Sequence, residues 1–175
     1  MSFNSLFSKI STLIFLFFVF CCEETNNSQD ENSFEVFTVT TNNVNLGNIY
    51  FDFISNTEVT STDNWHMAIE RDTSNYNMPS FVPDSNLQIA VYDNIDFNDL
   101  NTLPDSFQED VQSDHTVFGY GGSYEVLSYD ITVHKVSVTN PGNIFVLKKD
   151  SNAYKMQFME YVSGITVFRY AEINF

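Results

Sequence analysis

Apolar residues recur at every second position over much of the chain, and this spacing restricts the fold more than any other feature of the sequence. Phe51 and Phe53 share one face of a strand, and the same alternation returns in residues 65–69, 87–91 and 144–170. Successive side chains of a strand point to opposite faces, so the pattern predicts half-buried β-strands. Strands joined by short polar connections predict an all-β fold, an antiparallel sandwich or open barrel with at most one or two short helical turns.

Two connections between the strands support more local predictions. The segment 42–47 is rich in asparagine and contains Gly47, residues that tolerate left-handed backbone angles, and it predicts a hairpin between the strands on either side. Asp96 is placed to cap a single helical turn, with Phe97 and Leu100 facing inward and Pro104 ending it.

The first residues of the chain predict export. Lys9 precedes an apolar run over residues 10–20, interrupted only by Ser11 and Thr12. A membrane-spanning helix needs about 20 apolar residues, so this shorter run is typical of a signal peptide. Cys21 and Cys22 follow it, and no later cysteine is present. Adjacent cysteines do not form an ordinary structural disulfide, whose halves come from separated backbone positions.

The sequence VFCCEE around these cysteines resembles the lipobox of bacterial lipoproteins, in which a cysteine is cleaved at its amino side and acylated. The resemblance implies lipidation of Cys22, with Cys21 as the alternative, while a plain secretory signal remains the other interpretation. The acidic pair after them resembles the surface-export signal of Bacteroidetes lipoproteins. The predicted organisation is a signal peptide over 1–21, an acidic tether over 22–33 and one β domain over 34–175.

The charge of the chain limits the classes of partner. The formal net charge is −16, with only seven Lys and Arg residues and no basic cluster. Nucleic-acid binding depends on such clusters, so we expect no nucleic-acid partner, and contact with a membrane only through the lipid anchor.

Catalytic motifs are missing from the sequence, and we expect no enzyme activity. The chain contains no Gly-x-Ser-x-Gly, no His-Glu-x-x-His and no glycine-rich phosphate loop. The stretch DNIDFNDL bunches three aspartates, but its spacing and its lack of glycine do not fit a calcium loop. A surface enzyme with clustered carboxylates remains a third hypothesis beside the two binding functions that follow.

The stretch YDITVHKVSV contains a histidine where the alternation changes face. Ile131 and Val133 point one way and Val136 and Val138 the other, so the pattern slips at His134. Such a slip indicates either a β-bulge, which often lies beside a binding site, or the junction of two strands.

The C-terminal half is similar to the HmuY family of Bacteroidetes surface lipoproteins, known for capturing haem. The matching pieces are YDITVHKVSVTNPGNIFVLKKDSNAYKMQFMEY and GITVFRY, and upstream the tryptophan strand WHMAIER and the segment LQIAVYDNIDFNDLNTLPDSFQED. The sequence departs from the family at His66, where an acidic residue is usual. The resemblance implies a HmuY-type β fold and a role in iron acquisition at the outer-membrane surface.

In the haem binders of that family, two histidines or methionines grip the iron. The resemblance places His134 as one axial ligand, and His115 and Met78 are the candidates for the second by residue type and loop setting. It also implies delivery of haem to a TonB-dependent outer-membrane receptor. The alternative is a HmuY-like binding module without haem, which recognises another ligand or an outer-membrane partner protein.

Overall fold

The computed structural model describes residues 34–73, 76–107 and 117–175, within a compact unit that spans Phe34–Phe175. The expected signal peptide and tether, Cys22 and His115 lie outside the described residues. Eleven strands lie in these ranges: β1 (Phe37–Thr40), β2 (Ile49–Asp52), β3 (Thr57–Val59), β4 (Met67–Asp72), β5 (Met78–Pro83), β6 (Gln88–Tyr92), β7 (Leu127–Asp130), β8 (Lys135–Val138), β9 (Ile144–Lys149), β10 (Asn152–Val162) and β11 (Ile165–Glu172).

The strands form three antiparallel sheets. Five strands follow the order β1-β11-β10-β9-β6, four follow β3-β2-β4-β5, and β7 pairs with β8 alone. The described ranges contain strands and turns, without a helix and without a closed barrel. The predicted all-β class is confirmed. Among the described residues, no helix is long and apolar enough to cross a membrane.

The two larger sheets pack face to face through aromatic side chains. The rings of Phe51 on β2 and Phe168 on β11 meet edge to face at 5.2 Å, and those of Phe81 on β5 and Phe158 on β10 do so at 5.3 Å. All four residues are at most 2% exposed. Edge-to-face pairs add to the hydrophobic gain of burying large rings, so this aromatic layer stabilises the packing of the two sheets.

The outer face of the five-stranded sheet is covered by the segment that follows β6. Phe97 and Leu100 of this segment are buried at 1% and 4% exposure, and they close over Lys155 of β10, which is fully buried. The Lys155 Nζ donates to the carbonyl oxygens of Phe97 (2.7 Å) and Leu100 (2.8 Å) and to Oδ1 of Asn101 (3.3 Å). It also lies 3.1 Å from the ring centroid of Phe34. One lysine therefore holds both the covering segment and the start of the folded unit.

The hairpin predicted around the segment 42–47 is wrong. β1 pairs with β11, with Phe37 opposite Tyr170, whereas β2 pairs with β3 and β4. The connection crosses from one sheet to the other and is anchored by Val44, which is fully buried and donates its backbone N–H to the Gly164 carbonyl at 2.8 Å. Period-two patterning gives the face of each strand but not its partner.

The helical turn predicted at Asp96 is instead a β-turn. Asp96 Oδ1 accepts the backbone N–H of Asn98 at 2.8 Å, and the Asp99 N–H donates to the Asp96 carbonyl at 3.0 Å. An aspartate that bonds the backbone two residues ahead competes with a helix by closing an Asx turn. The predicted inward direction of Phe97 and Leu100 is confirmed.

Candidate functional site

His134 belongs to the turn of the β7–β8 hairpin. Its φ is 52°, and Asp130 faces Lys135 as the last pair before a four-residue turn. The Asp130 carboxylate shapes this turn because Oδ1 accepts both the backbone N–H (2.8 Å) and the hydroxyl (2.6 Å) of Thr132. The slip in the alternation marks a junction of two strands, one of the two interpretations of the sequence, and the bulge interpretation is wrong.

The imidazole of His134 is oriented by a hydroxyl of the preceding strand. Its Nδ1 lies 2.5 Å from Oη of Tyr129. If Tyr129 donates, Nε2 carries the proton, whereas if Nδ1 carries the proton, Tyr129 accepts and Nε2 keeps a free lone pair. Nε2 has no partner among the described residues, so it is the nitrogen left for a ligand.

A cleft of about 390 Å³ contains both His134 and Met78. These two residues were selected from the sequence separately, and the fold places them on one concave surface. Three segments distant in sequence build most of it: the start of β5, the β7–β8 hairpin and the β10–β11 turn. The complete lining is Asn45, Tyr76, Asn77, Met78, Pro79, Tyr129, His134, Lys135, Val136, Tyr161, Val162, Ser163 and Gly164.

Met78 is the first residue of β5 rather than part of a turn. It pairs with Asp72 of β4 and is 7% exposed. Pro79 and Pro83 lie inside this strand, which made it difficult to recognise in the sequence. Both are tolerated because β5 is an edge strand of the four-stranded sheet, where a missing N–H breaks no inner ladder. The edge position also places Met78 on the lining of the cleft.

Gly164 fixes the turn between β10 and β11 beneath the cleft. Its φ is +95°, and a Cβ atom at this position would overlap the side chains of Asn43 and Asn45. Asn45 also donates its side-chain N–H to the Ser163 carbonyl at 3.2 Å. Only glycine satisfies both the backbone angle and the close approach, so this side of the cleft is tightly packed.

Charge on the cleft lining has the opposite sign to that of the whole chain. Lys135 is the charged residue among the described residues that line it, and no aspartate or glutamate lines it. The phenol of Tyr161, 6% exposed, also reaches the cleft, and burial raises its pKa, so it stays protonated at neutral pH. In a chain of net charge −16, a cleft without carboxylates is locally suited to an anionic or neutral ligand.

His66 is a further histidine with chemical potential, and the sequence did not single it out as a site residue. It is 2% exposed in the core, with Nδ1 at 2.9 Å from Oδ1 of Asp52 and 3.3 Å from the backbone nitrogen of Phe53. Burial lowers the pKa of His66 and outweighs the opposing attraction of Asp52. His66 does not line the cleft, and its ring packs against the core rings of Phe53 and Tyr154.

Among the described residues, no three His, Cys, Asp or Glu side chains come together as a metal site. Of the residues that line the cleft, His134 and Met78 are the two whose side chains carry a nitrogen or sulfur atom that commonly binds a metal. His115, the other candidate for the second ligand, lies in the segment 108–116 that the structure does not describe. Comparisons of the chain with protein-family models, curated proteins and solved structures found no match.

Proposed function

We propose that the protein is a haem-binding lipoprotein of the HmuY type, which captures haem at the cell surface and passes it to a TonB-dependent outer-membrane receptor. The observation that carries this proposal is that His134 and Met78 line the same cleft. Export, an acyl anchor at Cys22 and an outer-membrane location rest on the N-terminal sequence.

The residues of the cleft fit such a ligand in chemical type. A His and Met pair is an established axial set for haem iron, and it favours the reduced metal more than two histidines do. The Tyr129 hydroxyl oxygen would accept a hydrogen bond from Nδ1–H of His134 and leave Nε2 for the metal. Such a bond raises the basicity of Nε2, as carboxylate or carbonyl partners do at other metal sites. Lys135 supplies a positive charge for a propionate.

The size of the cleft bears on the mode of capture. At about 390 Å³ it falls near the lower end of the usual range for ligand pockets, about 300 to 1,000 Å³. A porphyrin would fill it and extend into solvent. Partial enclosure suits a carrier, because a receptor can contact the exposed edge before the ligands release the metal. No reaction is catalysed in this scheme.

A titration of the purified protein with haemin, followed by dithionite, tests the proposal. A saturable Soret band and sharp low-spin bands on reduction are the expected result. His134→Asn should remove the bands, and asparagine tolerates the left-handed backbone of the turn. Met78→Leu, which nearly conserves volume, should convert the spectrum to a one-ligand form. His115→Ala is the matched control and should leave it unchanged.

Loss of the bands in His115→Ala, with none in Met78→Leu, would move the second ligand to His115. A broad spectrum without saturation would reject haem and favour the second candidate, a binding module that uses this cleft for another ligand. The small exposure of Met78, 7%, is the observation that favours this second candidate, because little of the side chain reaches solvent.

A further inference from the structure

A second cleft, of about 310 Å³, lies on the outer face of the five-stranded sheet. The turn 93–97 and the turn 140–143 form its walls, and Gln157 of β10 and Arg169 of β11 lie opposite each other on its floor. It shares no lining residue with the cleft that contains His134. Its lining is mostly charged and amide side chains, which is typical of a site for a polar ligand.

Arg169 is held in one position by contacts on two sides. Its Nε donates to Oε1 of Gln157 at 2.7 Å, and Nε2 of Gln157 donates in turn to the Pro141 carbonyl at 2.8 Å. The guanidinium carbon lies 4.3 Å from the ring centroid of Phe97. The two terminal nitrogens of Arg169 bond to none of the described residues. They form a preorganised fork, the geometry that binds a carboxylate through two parallel hydrogen bonds.

Among the described residues, the two positive charges below this cleft form no close ion pair with a carboxylate. Burial lowers the pKa of Lys155 to about 8, and Asp96 and Asp99 attract its ammonium only from a longer distance. Within the described ranges, neither Arg169 nor the neighbouring Lys155 has an aspartate or glutamate oxygen within 4.0 Å, although the chain carries 23 acidic residues. Arg169 is half-buried and Lys155 fully buried, so solvent screens them less than it screens surface charges. An anionic group of a ligand would therefore gain more here than at the surface.

The polar side chains at the rim of the cleft are suited to hydroxyl groups rather than to a second anionic group of the ligand. Asp93, Asn94 and Asp96 lie exposed on one wall, and Asn143 lies on the other. Carboxylates repel a second anion but accept hydrogen bonds from hydroxyls, and side-chain amides both donate and accept. Hydroxyl groups also donate and accept, so they complement this rim. The complementary molecule carries one carboxylate and several hydroxyls.

We propose that this second cleft binds a hexuronic acid, with the sugar carboxylate on the terminal nitrogens of Arg169 and the hydroxyls on the Asp93, Asn94 and Asn143 side chains. The ligand is either a free monosaccharide or the end residue of a surface glycan, since both present the same groups. This site is independent of haem binding, and the protein would thus carry two separate binding sites.

Calorimetric titration of the purified protein with glucuronate, methyl glucuronide, glucose and acetate tests this site. Glucuronate should bind at least about tenfold more tightly than glucose, because a charge-assisted pair contributes about 1.5 to 3 kcal/mol and each tenfold in affinity corresponds to about 1.4 kcal/mol. Equal binding of methyl glucuronide indicates a glycan end residue, whereas binding of free glucuronate alone indicates the monosaccharide.

Three variants connect the binding to named residues. Arg169→Gln should abolish the preference for glucuronate over glucose. Asn94→Gly keeps the left-handed φ of 60° and removes one amide, so it should weaken both sugars several-fold. Lys148→Gln, which removes a charge of β9 outside both clefts, is the matched charge control and should leave the binding of glucuronate unchanged. Urea unfolding of each variant verifies the fold.

Three results would overturn the proposal. The first is no heat with any sugar, the second is acetate binding as tightly as glucuronate, and the third is a preference for glucuronate that survives Arg169→Gln in a folded protein. The second result would reduce the cleft to a site for simple anions.

Discussion

The hydroxyl oxygen of Tyr129 lies 2.5 Å from Nδ1 of His134, so the turn of the β7–β8 hairpin is tied to its own first strand. The tie has two consequences. The bond keeps the imidazole of the exposed His134 on the lining of the cleft. It also engages Nδ1 within the hairpin and leaves Nε2 free of it. A free histidine in a turn would sample several rotamers and both tautomers.

Tyr129→Phe should release this tie without altering the core. We expect the tautomer populations of His134, measured by long-range nitrogen NMR, to move toward those of a solvated imidazole. If haem binds through Nε2, affinity for haemin should fall by about tenfold or more, as with other lost partners of metal-bound histidines. Tyr76→Phe, another tyrosine of the cleft lining, is the control. Unchanged tautomers in Tyr129→Phe would show that the bond does not persist in solution.

His66 should make stability depend on pH in a defined window. Burial lowers its pKa from 6.5 in the folded state, so the unfolded chain binds a proton below about pH 6.5 that the folded protein resists. The free energy of unfolding that neutral His66 contributes is complete above pH 6.5 and is lost as the pH falls toward the pKa of His66 in the folded state. The loss is about 1.4 kcal/mol for each unit by which folding lowers this pKa.

Urea unfolding at pH 7.5, 6 and 5, followed by the fluorescence of the single tryptophan Trp65, measures the dependence. His66→Phe should remove it, because the ring fits the aromatic contacts with Phe53 and Tyr154 but does not titrate. The carboxyl groups of Asp52 and Asp84 titrate outside this pH window. Burial raises the pKa of each carboxyl, but hydrogen bonds outweigh the burial and keep both pKa values below 3.8. A slope that persists in His66→Phe would assign it to other groups.

Lys155→Met should destabilise the protein by about 2 to 4 kcal/mol. The substitution leaves the carbonyls of Phe97 and Leu100 buried without a donor, and each orphaned acceptor costs about 1 to 3 kcal/mol. Lys148→Met on the neighbouring strand is the control, with an expected change below about 1 kcal/mol. Within the part of the chain that the structure describes, that amine makes long contacts with two rings, at 5.7 and 5.8 Å from their centroids. Equal losses in the two variants would contradict the clamping role of Lys155.

Gly164→Ala should lower both stability and binding at the first cleft. The left-handed backbone costs a non-glycine residue about 1 to 2 kcal/mol, and the added Cβ atom overlaps the Asn43 amide. Thermal unfolding should shift downward by several degrees. Gly47→Ala is a suitable control, because no atom lies within 4 Å of the added Cβ atom there. An unchanged melting temperature in Gly164→Ala would mean that this turn adapts.

The sequence predicts the faces of the strands well and their partners poorly. Alternation placed Phe51, Met67 and Phe158 in the core because burial selects every second residue. It could not show that β1 pairs with β11, since hydrogen-bond partners are set by the global topology. The sequence did not predict β5 because its two prolines are typical of a loop. The alternation of Ile131 and Val133 predicted a strand, but both residues lie in a turn and are 72% and 65% exposed.

The candidate site was predictable by residue type and not by geometry. A histidine at a break in the alternation and a methionine beside a proline were both visible in the sequence. Their placement on one cleft depends on the edge position of β5, which no local pattern encodes. Arg169 gave no sequence signal either, because its importance lies in Gln157 and Phe97, which reach it only in the folded sheet.

The pairing of β1 with β11 determines when the chain can complete its fold. The backbone N–H of Thr166 donates to Oγ1 of Thr41 across 125 residues, and the register from Phe37 to Thr40 continues this seam. Contacts of such separation form late because a long loop must close first, so folding should be slow for a domain of this size. During synthesis, β1 stays unpaired until β11, near the end of the domain, has left the ribosome. A protein that crosses a membrane as an extended chain would benefit from this delay, since premature folding would block its passage.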